Sequence, residues 1–246
     1  MGKSSNAVRA QDTKDVVPSY IKSGSNRGSE AVTTEDITIP RIEIMQALSP
    51  CLDEKKPEFI DGGKQGHLYN SVTREDYGDM VVVCPVLFRS QFLVWRDRKK
   101  GGGFRGAYDT AEEAKEAVAG TEDPENWSII PTAQNLVLVV HEDGTTEEAM
   151  ISMARTKMKV SRQWNALVRI NGNDRFSRLY NVFSVDDANS QGQDYKNLGI
   201  ANAGFPVESV YLQAESLYKQ VSSGIREMKM DSSDVGGGEE TPNTEF

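Results

Sequence analysis

The chain has two cysteines, Cys51 and Cys84, and two histidines, His67 and His141, among its 246 residues. That scarcity excludes a disulfide framework and any Cys/His zinc cluster. No run approaches the 18 apolar residues of a membrane-spanning helix. The opening MGKSSNAVRAQDTKD has no apolar core of the secretory type. There is no Gly-x-x-x-x-Gly-Lys-Ser/Thr phosphate loop, and Gly101–Gly106 lacks the helix and acidic partner of a dinucleotide site. His141, at a strand end beside Glu142, reads as a surface residue, and Cys84, inside an apolar run, as a small buried hydrophobe. Asp76, Asp79, Asp186 and Asp187 can be imagined around Mg²⁺, but that ion asks for so little protein that the pattern selects nothing, and Asp76-Tyr77-Gly78-Asp79 reads as a turn. With no nucleophile–base pair, no metal ligand set and no cofactor motif, the expectation is a binding protein, without catalytic residues, metal or cofactor.

What is present is unevenly placed. Mean hydropathy is −0.53 and net charge −9. Residues 1–36 are polar, aperiodic and charge-balanced, which predicts a flexible N-terminal segment. Residues 229–246 form an acidic tail, in which Asp231–Phe246 holds Asp231, Asp234, Glu239, Glu240 and Glu245, three glycines, no Lys or Arg, and a terminal Phe246. Those five acids account for more than half of the net charge. Residues 37–228 form the expected domain.

Within that domain Met80–Trp95 (MVVVCPVLFRSQFLVW) predicts one long strand or two, interrupted or bulged at Pro85. Asn135–His141 and Glu147–Met153 flank Glu142-Asp143-Gly144-Thr145, the best hairpin signal in the chain. Phe176–Val185 and Tyr195–Ala201 are further strands. Thr110–Ala119 predicts a helix with Thr110 and Glu113 as a capping box; Arg155–Ile170 and Pro206–Val221 are two more. Hairpins with intervening helices predict an α+β or mostly-β fold.

Thirteen of the 28 basic residues fall in two windows that also carry aromatics. Phe88–Arg105 holds Arg89, Arg96, Arg98, Lys99, Lys100 and Arg105 against Asp97, with Phe92, Trp95 and Phe104 among them. Arg155–Arg178 holds Arg155, Lys157, Lys159, Arg162, Arg169, Arg175 and Arg178 against Asp174, with Trp164 and Phe176. Cations that follow phosphates and rings on which bases stack are what single-stranded nucleic acid requires. The same residues fit a second description, in which the aromatics are core and the cations a solvated face. On the first description Arg89, Arg96, Arg98, Lys99, Lys100, Arg105, Arg155, Lys157, Lys159 and Arg162 contact phosphates, while Phe92, Trp95, Phe104 and Trp164 stack on bases. The tail, ending in an aromatic, suits capture by a basic pocket of another protein or occupation of this chain's own basic groove.

A basic, aromatic-bearing body followed by a glycine-containing linker and an acidic tail ending in Phe resembles phage replication single-stranded DNA-binding proteins. Ile39–Pro50 (IPRIEIMQALSP), His67–Thr73 (HLYNSVT) and Ile151–Trp164 (ISMARTKMKVSRQW) resemble segments of such proteins. The resemblance implies an OB-like β-barrel with accessory helices and flexible termini. It implies sequence-independent binding of single-stranded DNA in replication and recombination, tail contacts to polymerase, helicase or primase, a possible homodimer, and a place in the host cytoplasm away from membranes. Here the acids of the tail are dispersed, where the family pattern is a dense run. A phage structural or assembly protein that binds another protein, and a Mg-dependent nuclease, are the alternatives.

Overall fold

The computed structural model describes residues 27–32, 38–189 and 192–224. The expected acidic tail and most of the N-terminal segment lie outside the described residues. The order of elements is β1 (Ile42–Ile44), β2 (Leu68–Asn70), β3 (Asp76–Gly78), β4 (Met80–Arg96), β5 (Phe104–Tyr108), α1 (Ala111–Ala119), β6 (Trp127–Val140), β7 (Thr146–Ala154), α2 (Lys157–Asn171), β8 (Leu179–Ala188), β9 (Asp194–Gly204) and α3 (Glu208–Ser222). The fold is mostly β with helices added, as expected.

The main sheet runs β7-β6-β4-β8-β9, antiparallel throughout, with β5 added to β4. Its axis is the 17-residue β4, a single strand. Pro85 has no N–H to give, and the β4–β6 register shifts between Pro85 and Leu87, the bulge that a proline inside a strand demands. Beside β6, β4 is paired almost end to end. Its other edge is shared: β8 takes Met80–Val83 and β5 takes Phe92–Trp95. Between them Arg175–Ser177, one turn of 3-10 helix, packs against β4. There the Cys84 thiol donates to the Phe176 carbonyl at 3.4 Å. That turn is why the strand expected from Phe176 begins only at Leu179.

Alternation along the strands sends side chains to two cores. On one face Val81, Val83, Val137, Val139, Ile151, Met153, Val182 and Ile200 pack with Val160 and Trp164 of α2 and Ile42 and Ile44 of β1. On the other Cys84, Val86, Leu136, Leu138 and Phe176 meet Val210, Ala214, Leu217 and Val221 of α3. α2 and α3 therefore cover opposite faces of the sheet. The far halves of β4 and β6, with β5, project beyond both helices as an arm. α1 packs on that arm, with Leu93, Val94 and Ala114 buried.

No ladder joins β7 to β9, so the sheet is not a closed barrel. The short segment before and after β1 touches both outer strands. Arg41 forms a parallel bridge to Met150 of β7, and the Met150 N–H donates to the Pro40 carbonyl at 2.7 Å. The Gln46 side-chain amide takes the place of a strand on β9: it donates to the Lys196 carbonyl at 2.7 Å and accepts from the Lys196 N–H at 2.9 Å. A second sheet, β1-β2-β3, lies alongside. Asp76–Gly78, expected as a turn, is its third strand. His141, expected at the surface, is half-buried, 3.7 Å from the Glu147 carboxylate across the hairpin and beside the Tyr77 ring.

Candidate nucleic-acid interface

The first basic window lies on the arm and does not keep its charge excess there. The chain between Phe88 and Thr132 folds onto itself as β5, α1 and the start of β6, and it carries seven cations against eight acids. Two acids that follow the window in sequence meet it in space: Asp109 accepts from the Gln91 side-chain amide at 3.2 Å, and Asp123 reaches Arg96. Arg96 is the clearest case. Its guanidinium is hydrogen-bonded to the Asp123 carboxylate and lies 5.9 Å from the centre of the Trp127 ring. Arg105 lies 5.6 Å from the same ring, so Trp127 is shared by two cations. Arg96, expected on phosphates, is thus held within the arm. Asp97 accepts from the Lys99 N–H and caps the turn Arg98–Lys100, and Lys100 is exposed at the tip.

The arm's aromatics are largely used on each other. Trp95 and Phe104 are paired across the β4–β5 ladder, with ring centres 4.9 Å apart, and both are half-buried. Trp95 is seven residues along β4 from Phe88, about 23 Å at strand rise. An odd separation sends the two rings to opposite faces of the β4–β6 ladder. Phe88 belongs to the core under α2; Trp95 and Phe104 therefore point away from that helix, and the two windows do not line a single groove. Phe92, on the Phe88 side of β4, and Arg89, on the Trp95 side, are half-buried.

The second window behaves differently. From Arg155 to Asn173 there is no acid at all among 19 residues, and five are cations. Arg155 has φ +52° and stands before the helix, so α2 begins at Lys157 and not at Arg155. Val160, Ser161 and Trp164 face the sheet and are buried. Trp164 is fully buried, edge-on to Tyr180 with centres 5.7 Å apart. It is a core residue and cannot stack on a base. Its sequence position explains this: Val160, Trp164, Leu167 and Val168 recur at the helical period.

On the other side of α2, Lys159, Arg162, Ala166, Arg169 and Ile170 are exposed, while Lys157 is half-buried. Lys159 stands near Asp187, whose carboxyl is held below the usual range mainly by hydrogen bonds from Asn197 and Tyr195. Arg162 and Arg169 form no ion pair among the described residues. Seven residues apart, they lie two turns along one stripe, about 10 Å.

Arg175 is the residue of this window that sequence reasoning placed least well. It lies between Phe88 and Trp164, 5.3 and 5.5 Å from their ring centres. It donates to Asn165 Oδ1 at 2.8 Å and Asn135 Oδ1 at 2.7 Å. Burial pushes its guanidinium down to about 10, which leaves it charged near neutrality. Arg175 therefore locks α2 to β4 and β6; it is not available to a phosphate. Trp127 was also missed: acids surround it in sequence, and its pairing with Arg96 comes from strand register alone.

Among the described residues no three or more His, Cys, Asp or Glu side chains gather in a way that could hold a metal ion. No described helix is long and apolar enough to cross a membrane. Burial pushes the Cys84 thiol up to about 12, which suits a packing role. In a comparison with known families, a model described as Pam3 phage gp34-like protein aligns with residues 10–227. No curated protein and no solved structure matches.

Proposed function

This chain belongs to the Pam3 phage gp34-like protein family, and we propose that it binds single-stranded DNA without regard to sequence, as a binding protein and not an enzyme, in phage replication or recombination. The observation that carries the proposal is the exposed face of α2. Lys159, Arg162 and Arg169 project from a helix that contains no acid and is fixed to the sheet by Trp164 and Arg175. A rigid row of cations in which Arg162 and Arg169 form no ion pair among the described residues attracts a phosphate chain, and counterion release drives the association. The arm is a secondary contact, through Lys100 and Arg105 at its tip. An OB-like barrel belongs to the same proposal, supported by the way Pro40–Gln46 reaches both outer strands of the sheet.

Fluorescence anisotropy of a labelled oligo(dT) tests the reading. Because Trp164 is buried, quenching of native tryptophan is the weaker readout. The expected result is tight binding at low salt, with log K falling against log salt at roughly −0.7 per phosphate contacted, so about −2 for three contacts. No binding at low salt overturns the proposal. The acidic segment Asp231–Phe246 is proposed to contact replication proteins such as polymerase, helicase or primase in the host cytoplasm, and to compete for the cationic face. Removal of Asp231–Phe246 is then expected to tighten oligo(dT) binding at low salt and to leave it unchanged at high salt, where the competition is screened. Unchanged affinity at both salts rejects the competition.

A further inference from the structure

With Trp164 in the core and Trp95 turned from α2, the cationic face of that helix has no ring from the sequence reading beside it. One ring beyond both basic windows stands in the right place. Phe205 is 67% exposed, and the Arg178 guanidinium carbon lies 4.1 Å from its ring centre. Register sets the position. Leu179 pairs with Gly204, so Arg178 and Phe205 stand side by side just past the end of the β8–β9 ladder. The C-terminal end of α2 is fixed at the same place, because Asn171 Nδ2 donates to the Tyr180 hydroxyl at 3.0 Å. Arg169 lies in that last turn. The row Lys159, Arg162, Arg169 thus runs towards Arg178 and Phe205.

The display of the ring is built into the backbone. Gly204 has φ +119°, a conformation L side chains rarely adopt, and a Cβ there would meet nothing within 4 Å. The glycine therefore serves the dihedral and not a close contact. Pro206 follows, which holds Phe205 to extended backbone and precedes the helix α3. The ring is therefore mounted on a stiff turn, unlike an apolar side chain that happens to be exposed on a mobile loop. Arg178 is orientated by the ring: it forms no ion pair among the described residues, and its Nε is buried without a hydrogen-bond partner. One face of the phenyl ring is backed by a cation, and most of the ring remains in contact with water.

We propose that Phe205, backed by Arg178, is a stacking site for an unpaired nucleobase of a strand whose phosphates follow Arg162 and Arg169. The inference rests on the single-strand reading above and names where that strand's bases go. A cation behind the ring leaves the open face to a flat heterocycle, and stacking of this kind tolerates any base.

Two probes of equal length separate base from phosphate: oligo(dT), and an abasic oligonucleotide with the same backbone. Phe205→Ala is expected to weaken oligo(dT) binding about tenfold, within the range of one stacked base. It is expected to leave the abasic affinity and the salt dependence unchanged. Phe205→Trp is expected to retain oligo(dT) affinity and to show saturable quenching beyond that of the wild type. Unchanged oligo(dT) affinity for Phe205→Ala, or an equal loss on both probes, overturns the stacking site. Arg162→Glu/Arg169→Glu, measured alongside, shows whether the phosphate path stands without it. If Phe205→Ala abolishes self-association in sedimentation while oligo(dT) affinity stays constant, the ring belongs to a contact between copies and the proposal falls. If the wild type binds neither probe, the stacking site and the single-strand reading fall together.

Discussion

The arm and the helix α2 start from the same material, a run of Arg and Lys interleaved with aromatics, and the fold spends it in opposite ways. On the arm the Arg96 guanidinium is held by Asp123 from the connection to β6, and the Trp127 ring lies 5.9 and 5.6 Å from two cations. On α2 the aromatic is driven into the core and the cations are left outside with no acid on the helix. The difference comes from what each segment packs against. A strand pair offers two faces, both near other charged chain. A helix on a sheet has one buried stripe, so everything polar is forced to the other side. A basic, aromatic window therefore predicts an interface only where its partner element has already been supplied from elsewhere.

The largest expected effect separates Trp164 from Trp95. Trp164→Ala empties a fully buried site between α2 and the sheet and is expected to cost about 3–5 kcal/mol of folding stability. Trp95→Ala removes a half-buried ring that rests on Phe104, and about 1–2 kcal/mol is expected from the smaller area lost. Urea midpoints at constant slope measure both. Equal losses would mean that the arm carries as much of the fold as the base does, and the contrast between them would disappear.

Next comes charge. Arg162→Glu/Arg169→Glu is expected to weaken oligo(dT) binding by at least about tenfold and to make the salt slope shallower by about 1.4, two single-strand phosphate contacts. Lys100→Glu/Arg105→Glu on the arm tip is expected to stay within about threefold, since local acids already set the potential there. The reverse ranking would move the phosphate path to the arm.

Much of the base was legible in the sequence for reasons that are local. Thr110 and Glu113 form the reciprocal capping box at the start of α1. Glu142–Thr145 turns β6 into β7, with Gly144 at φ +83°. Pro85 marks the bulge of β4. The strands that were missed, β1, β2, β3 and β5, have three to five residues, too few for a period to show. The first half of β6 was hidden by Ser128, Pro131, Thr132 and Gln134, polar or turn-favouring residues that are extended only because β4 runs beside them. The candidate site was legible as a stretch of α2 and illegible as a surface. That Trp164 faces inwards was readable from its helical spacing with Val160 and Val168. That Arg175 is enclosed by Phe88, Trp164, Asn135 and Asn165 depends on four elements meeting, and no spacing records it.

The smallest expected effect tests whether the arm's charges are neutralised in solution as they are in the structure. The Arg96 guanidinium, with the Trp127 indole N–H at 3.2 Å and Asn126 Nδ2 at 3.2 Å, holds the Asp123 carboxyl below its ordinary value of 3.8. A carboxyl whose value is lower folded than unfolded adds stability that is complete above the unfolded value. That stability is lost as pH falls through the lower, folded one. The Trp127 indole N–H donates to Asp123, so its NMR signal reports that titration directly. Its shift is expected to move with a midpoint below 3.8, and Asp123→Asn is expected to remove the step while the amides of α2 stay in place. A midpoint at the ordinary value would mean that Arg96 is not held by Asp123. In that case Arg96 would return to the phosphate contacts, and the arm would regain the unmatched charge that now distinguishes α2.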